Sequence, residues 1–236
     1  MKDPGEPIFK PKPLKGFSHR NAVYVPVDLP SRIFGNVLPE KASRDKDTPF
    51  GHIFLLDNTA VLYRCLGASS AIIGLEYLIA TGTLEILILG FCGSLNPDFS
   101  ALDVVSISKA YSEEGTSRHY FRGKRIFHSS GRLRQKIESR LKGQNLPFKR
   151  AVTVSTDAPF RETKSWLEDK RKKGIDVVDM EASAVFALGE YHKIPTVALM
   201  IVSDELAGKK WKNVFHHPRL NALVEDYFIP FLDIES

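Results

Sequence analysis

Residues 174–188 read GIDVVDMEASAVFAL, and residues 197–204 read VALMIVSD. In each stretch an apolar segment, typical of a buried strand, runs directly into carboxylate side chains. The carboxyl ends of strands in an open α/β sheet are the places where ligands bind. We therefore expect the acidic residues of the two stretches, Glu181 and Asp204 above all, to lie together at one edge of one sheet.

Strands alternate with helices along most of the chain, which predicts an α/β fold. Predicted strands cover residues 22–27, 53–56, 60–63, 86–90, 102–107, 152–154 and 177–178, with a last core strand from Pro195; residues 91–97 are predicted as a loop. Helical spacing predicts helices from Ser69 or Ser70 to Gly82, around Leu133–Leu141 and Trp166–Leu167, over Ala182–His192 and over Leu220–Phe228. We predict a three-layer α/β/α sandwich with a mixed central sheet.

The domain organisation is predicted to be simple. A chain of 236 residues is within the size range of one large α/β domain. Residues 1–20 contain four prolines and five lysines or arginines with few apolar anchors, so they are predicted to form an extended N-terminal arm. Residues 21–236 are predicted to form a single catalytic domain.

Composition indicates the kind of partner and the cellular compartment to expect. The formal charge of +5 suits an anionic partner such as phosphate or a nucleotide. Cys65 and Cys92 are the only cysteines and form no paired spacing typical of zinc or redox sites. We see neither a signal peptide nor an apolar run of the roughly 18 residues that a membrane helix needs, so we expect a cytoplasmic protein that does not bind a membrane.

Glu181 has two possible roles on the sequence alone. It is predicted in the first turn of a helix, where the helix dipole stabilises a negative charge by about 0.3–1 kcal/mol. Alternatively, a carboxylate at this edge accepts two hydrogen bonds from a vicinal diol, which is how acidic side chains bind ribose hydroxyls. Asp179 has the same two possible roles.

Three segments resemble the nucleoside phosphorylase superfamily, which includes purine nucleoside phosphorylases, uridine phosphorylases and methylthioadenosine nucleosidases. They are Val178-Asp-Met-Glu-Ala-Ser-Ala184, Gly90-Phe-Cys-Gly-Ser-Leu95 and Ser155-Thr-Asp-Ala-Pro-Phe160, and the wider pattern covers about residues 22–210. Members of this superfamily break the bond between a ribose and a nucleobase. The resemblance implies that Glu181 binds the ribose 2′- and 3′-hydroxyls and that Met180 packs on the sugar.

The Ser203-Asp204 pair could simply form a turn or a helix cap at the end of a strand. Cleavage of an N-glycosidic bond, however, leaves positive charge on the sugar and negative charge on the departing base. The resemblance implies that Asp204 protonates a purine at N7, and general-acid help of this kind contributes about 10²- to 10⁴-fold. Residues 160–163 lack the glutamine and arginine with which pyrimidine-specific members hold uracil, which favours purines.

The same resemblance implies a wider set of substrate contacts. At the position where the superfamily has an aromatic residue that stacks on the base, this chain has Pro159. Leu66 matches an apolar residue that lines the sugar pocket, with ordinary core packing as its alternative role. The remaining candidate substrate-binding residues are Asp179, Ser203, Phe160, Leu66, Cys92 and Gly93.

The part of the pattern that holds the nucleophile is altered. The phosphate loop of the superfamily, Gly-Asp-Pro-x-Arg, matches Pro26-Val-Asp-Leu-Pro-Ser-Arg32, which lacks the glycine. Arg32 is a candidate phosphate ligand, and Arg44 is a candidate for the arginine that a neighbouring subunit contributes. Ile88 and Phe91 occupy two positions where phosphate ligands are expected. Met200 occupies the position of the arginine that helps to place water in the nucleosidases.

These observations predict a purine nucleoside phosphorylase that uses inorganic phosphate as co-substrate and acts as a homodimer or homohexamer. No metal or organic cofactor is implied. Two alternatives stay open: a nucleosidase that uses water, and a catalytically silent nucleoside-binding homologue. A third, nucleic-acid binding through the basic arm and Lys170–Lys173, competes with the simpler interpretation of that run as a solvated helix face.

Overall fold

The computed structural model describes residues 7–28, 38–208 and 210–232. The strands in these ranges form one mixed sheet: β1 Asn21–Val25, β2 Arg44–Thr48, β3 Gly51–Leu56, β4 Thr59–Tyr63, β5 Glu85–Ser94, β6 Val104–Ser112, β7 Ile126–His128, β8 Lys149–Ser155, β9 Val177–Asp179, β10 Thr196–Glu205 and β11 Lys212–Asn213. The helices are α1 Leu38–Lys41, α2 Ala68–Thr81, α3 Ser117–Tyr120, α4 Gly131–Gly143, α5 Lys164–Lys172, α6 Ala182–His192 and α7 Pro218–Phe228, with 3₁₀ turns at Pro159–Arg161 and Ile229–Phe231.

The sheet directs alternate side chains into two apolar cores, because successive residues of a strand point to opposite faces. On one face, Tyr24, Ile88 and Met200 pack in the core that includes α2 and α6. On the other face, Leu89 and Leu199 pack in the core that includes α4 and α7. Helices therefore cover both faces, and the predicted three-layer α/β/α architecture is confirmed.

Strands β5 and β10 occupy the centre of the sheet. They are parallel to each other, and β5 also pairs with β1 and with the antiparallel β9. The pairings β5–β9, β9–β8, β8–β6, β6–β10 and β10–β5 close a ring of five strands at one side of the sheet. The sequence did not predict this closure, because it depends on contacts between segments that are far apart in the chain.

Several predicted boundaries were wrong; the strand predicted over residues 102–107, for example, is Val104–Ser112. Residues 91–94 belong to β5 and not to a loop, because they pair with β10 on one side and, at Gly93 and Ser94, with β9 on the other. Helix α2 begins at Ala68 and is not capped by Ser69 or Ser70. The residue before it is Gly67, whose φ of 90° lies in the region that favours glycine.

Two basic segments are less solvated than the sequence suggested. In the predicted arm, Leu14 and His19 are buried, and His19 Nε2 lies 2.8 Å from Thr83 Oγ1. In the basic run of α5, Lys170 is buried and forms ion pairs with Glu113 and Asp169. Within the described ranges we find no helix that combines the length and the apolar composition required to cross a bilayer.

Candidate active site

Gly93 of β5 lies between the two acidic stretches. It pairs with Val178 of β9 on one side and with Asp204 of β10 on the other. The two stretches therefore flank a single strand, and neighbouring strands lie about 4.8 Å apart. Cys92, the residue before Gly93, lies close to an acidic residue from each stretch. Burial raises the pKa of its thiol well above the usual range, and the charges of Asp179 and Asp204 both add to that rise.

Asp179 organises the start of α6. Its Oδ1 accepts hydrogen bonds from the backbone N–H groups of Glu181 and Ala182, both at 2.7 Å, and from Ser155 Oγ at 2.8 Å. Its Oδ2 accepts one from Thr153 Oγ1 at 2.5 Å. Burial raises the pKa of Asp179, and the four hydrogen bonds oppose that rise. Because both oxygens are engaged within the protein, the geometry supports a positioning role for Asp179.

Replacing Asp179 by alanine is expected to destabilise the protein by about 3 kcal/mol or more, because four buried donors would lose their acceptor. Urea denaturation monitored by circular dichroism measures this loss. Asp45→Ala is the matched control, because Asp45 is exposed and its Oδ2 lies 3.0 Å from His52 Nε2. Equal stability losses for the two variants would contradict the role given to Asp179.

Glu181 is the residue immediately before α6 and is only 4% exposed. Its Oε1 accepts a hydrogen bond of 2.8 Å from the backbone N–H of Gly67, and no side-chain donor within the described ranges reaches it. Burial, followed by the charge of Asp179, raises the pKa of Glu181 to about 8. A buried carboxyl that lacks side-chain partners retains the capacity to bind hydroxyl groups of a ligand.

Asp204 follows an irregularity in β10. Val202 pairs with Cys92 and Asp204 pairs with Gly93, so Ser203 is an extra residue between two consecutive pairs. The buried Ser203 hydroxyl lies 2.8 Å from Asp204 Oδ1. Trp211 Nε1 donates a hydrogen bond of 2.8 Å to Asp204 Oδ2. The half-buried carboxyl group is therefore held at both oxygens.

Glu162 is a second acidic group near Asp204 that the sequence did not reveal. It follows the 3₁₀ turn at Pro159–Arg161 and is half-buried. Its carboxyl group has no hydrogen-bond donor in residues 7–28, 38–208 or 210–232. Burial, together with the charge of Asp204, raises the pKa of Glu162 to about 7.

The other candidate substrate contacts are distributed unevenly. Met180 is half-buried between Asp179 and Glu181. Leu66 is 57% exposed next to the glycine that binds Glu181, so it is not a core residue, whereas Phe160 is fully exposed on its 3₁₀ turn. Cys92 and Gly93 are buried, and a Cβ at Gly93 would lie 3.2 Å from Asp204 Oδ2 and 2.6 Å from Leu206 Cδ1. Gly93 thus provides the space in which Asp204 lies.

The candidate phosphate ligands are not brought together in the described part of the chain. Arg32 lies outside the described residues. Arg44 is exposed on β2, the outermost strand of the sheet, where its guanidinium group lies beside Gly16. Ile88 is fully buried and Phe91 is half-buried, which agrees with the apolar character seen in the sequence. Within the described ranges no group of three or more His, Cys, Asp or Glu side chains is arranged to hold a metal ion.

Sequence reasoning missed three contributors to this site: the Gly67 N–H, Glu162 and Trp211. Each comes from a segment without a periodic apolar pattern, and each reaches the acidic residues only through tertiary packing. The sequence does not distinguish Trp211 from the second tryptophan, Trp166. In the structure Trp166 also donates its indole N–H to a carboxylate, that of Glu113.

Comparisons with known proteins show the family and the fold of the chain. The family model described as "Phosphorylase superfamily" matches residues 49–225, about three quarters of the chain. Among curated relatives, the chain is 28% identical over 132 residues to a DeoD-type purine nucleoside phosphorylase from Clostridium novyi, covering 56% of the chain and 57% of that relative. The match therefore spans less than two thirds of the relative's length.

Two solved structures have a similar fold. A 5'-methylthioadenosine/S-adenosyl homocysteine nucleosidase from Campylobacter jejuni aligns with a TM-score of 0.73 at 16% identity, over 89% of this chain and 96% of that one. A purine nucleoside phosphorylase from Toxoplasma gondii in complex with immucillin-H aligns with a TM-score of 0.67 at 20% identity, over 80% and 78%. Identities this low show the shared architecture alone.

Proposed function

Because this chain belongs to the phosphorylase superfamily, we propose that it cleaves the N-glycosidic bond of a purine nucleoside. The observation that supports the proposal is that Gly93 of β5 pairs with Val178, in the strand that leads to Glu181, and with Asp204 of β10. The Glu181 carboxyl group is buried and accepts a hydrogen bond from the backbone of Gly67. The half-buried Asp204 carboxyl group is held by Ser203 and Trp211. Such a pair suits a ligand with a diol at one end and a basic nitrogen at the other.

In the proposed mechanism, Glu181 accepts hydrogen bonds from the ribose 2′- and 3′-hydroxyls, and Met180 packs against the sugar. Asp204 in its protonated form donates a proton to N7 of the purine as the bond between the sugar and N9 breaks. The bonding electron pair leaves with the base, and the proton neutralises the charge that develops there. The sugar carbon becomes positively charged and is then attacked by the nucleophile.

We propose inorganic phosphate as the nucleophile, with Arg32 and Arg44 as candidate ligands, the latter acting across a subunit interface in a homodimer or homohexamer. Water is the second candidate, and the apolar Ile88 and Phe91 favour it because neither side chain can bind an anion. The proposed reaction requires neither a metal nor an organic cofactor, and we place it in cytoplasmic purine nucleoside metabolism.

The test is purine release from inosine, adenosine and methylthioadenosine, measured with and without inorganic phosphate. Release that depends on phosphate supports phosphorolysis. Release at the same rate without phosphate assigns a hydrolase. No release from any nucleoside, combined with measurable nucleoside binding, assigns a silent binding protein and overturns the proposed activity.

A further prediction concerns pH. Because the pKa of Glu162 is about 7, this group acquires a negative charge beside Asp204 as the pH rises through neutrality. That charge opposes the build-up of negative charge on the departing base, so above about pH 7 kcat/KM should be lower in the wild type than in Glu162→Gln, in which Glu181 still titrates at about pH 8. Rate profiles between pH 5.5 and 9 measure this difference, with the exposed Glu168→Gln as control; an unchanged profile would refute the prediction.

A further inference from the structure

Residues 211–214, which come after β10 in the chain, lie beside the end of that strand. Strand β11 pairs antiparallel with the end of β10, with Asn213 opposite Asp204 and Lys212 opposite Glu205. The backbone N–H of Val214 donates to the carbonyl oxygen of Ser203 at 2.9 Å. These backbone contacts place Trp211 beside the Asp204 side chain and not at a random position on the surface.

The indole of Trp211 restricts where a proton on Asp204 can lie. Its Nε1–H group donates to Oδ2 at 2.8 Å, and an indole cannot accept a hydrogen bond. A proton carried by Asp204 must therefore occupy a lone pair that does not face the indole. The Ser203 hydroxyl at Oδ1 fixes the rotation of the same carboxyl group. Together the two contacts define the direction in which Asp204 can donate.

The ring of Trp211 is also available to a ligand. Trp211 remains 62% exposed although its N–H is engaged, and its ring centroid lies 6.5 Å from that of the partly exposed Phe215. An exposed aromatic face next to a carboxyl group that can protonate a base nitrogen is a suitable stacking surface for that base. Stacking of a nucleobase on an aromatic side chain contributes about 1–3 kcal/mol, equivalent to about a fivefold to hundredfold change in affinity.

We propose that Trp211 is a base-binding and positioning residue: its indole N–H orients Asp204 toward the purine, and its ring stacks on the purine. This inference rests on the proposed function, because it assigns the base end of that same site. The two parts of the role are separable. The N–H acts on the chemical step, and the ring acts on binding.

Kinetics of two substitutions separate these parts. Trp211→Phe keeps an aromatic ring but removes the donor, so kcat should fall about tenfold with little change in KM. Trp211→Leu removes both, so KM should also rise about tenfold. Trp166→Phe is the matched control, because Trp166 Nε1 donates to Glu113 Oε2 at 2.7 Å, and we expect wild-type kinetics. A Trp211→Phe variant with wild-type kcat overturns the positioning role.

A binding measurement tests the inference independently of turnover. The sequence contains two tryptophans, so the Trp166→Phe variant reports the fluorescence of Trp211 alone. Titration with hypoxanthine and adenine should give a saturable change in emission, and uracil should give a smaller one. If nucleosides are cleaved but neither purine changes the emission, the stacking role is overturned while the proposed function stands. If no nucleoside is cleaved, a saturable change still supports Trp211 as a base contact, and its absence refutes it.

Discussion

Replacing Asp204 by asparagine is expected to lower purine release by about 10²- to 10⁴-fold, the usual contribution of a general acid. Asparagine preserves the shape of the side chain, and its amide oxygen can still accept the hydrogen bond from Trp211. The substitution removes the transferable proton and little else. The measurement is kcat for base release with saturating nucleoside, followed spectrophotometrically.

A neighbouring acid provides the control for this substitution. Glu205 also ends β10, where its Oε1 accepts a hydrogen bond of 2.9 Å from the backbone N–H of Ala101. Glu205→Gln should leave kcat close to the wild-type value and should have the same circular dichroism spectrum as Asp204→Asn. If Asp204→Asn retained more than a tenth of the wild-type kcat, Asp204 would not be the general acid.

Replacing Glu181 by alanine is expected to reduce kcat/KM by about a hundredfold or more. The variant loses two hydrogen bonds from the ribose diol. At about pH 9, above the Glu181 pKa of about 8, the acceptor is charged, and each such bond contributes about 1.5–3 kcal/mol. Initial rates at low nucleoside concentration measure kcat/KM directly. A 2′,3′-dideoxynucleoside is the matched control substrate, because it lacks the diol: the wild type and Glu181→Ala should process it equally slowly. Equal sensitivity to the substitution with both substrates would show that Glu181 does not bind the diol.

The carboxyl group of Glu181 is expected to support activity, whereas its ionisation is expected to lower the stability of the folded protein. The pKa of Glu181 is about 8 in the folded protein, against an ordinary value of 4.5, so the folded state binds this proton more tightly than the unfolded state. The free energy of unfolding therefore decreases as the pH rises from about 4.5 to about 8, and this destabilisation is complete above that window.

Glu181→Gln removes the buried ionisable group but keeps an acceptor for the Gly67 N–H. We expect the variant to be more stable than the wild type at pH 8.5, to match it near pH 4.5, and to be less active. Urea denaturation at the two pH values measures the difference, with Glu168→Gln as an exposed control. A variant that is less stable than the wild type at pH 8.5 would contradict the buried, weakly partnered state of Glu181.

The sequence predicted the parts of the fold that depend on local pattern. Helix α6 has the predicted bounds, because an apolar run with helical spacing lies between the acidic motif and Lys193, whose left-handed backbone conformation ends the helix. The two acidic stretches were also placed correctly at the ends of strands. Both predictions rest on the order of residues within about fifteen positions, where periodicity and chemistry are visible together.

The sequence could not predict interactions that cross the sheet. The role of Asp179 depends on Thr153 and Ser155, which reach it only because β8 and β9 are parallel neighbours. Glu162 and Trp211 belong to irregular segments, and nothing in their own surroundings indicates that they lie near Asp204. For the same reason the sequence identifies Arg32 and Arg44 as candidate anion ligands but does not show whether they lie at a common site.

The extra residue in β10 has a practical consequence for comparing this chain with its relatives. Side chains alternate along a strand, so an alignment that places Ser203 opposite Gly93 would assign Asp204 to the wrong face of the sheet. Alignments with relatives must therefore treat Ser203 as an extra residue before they assign the residues that follow it.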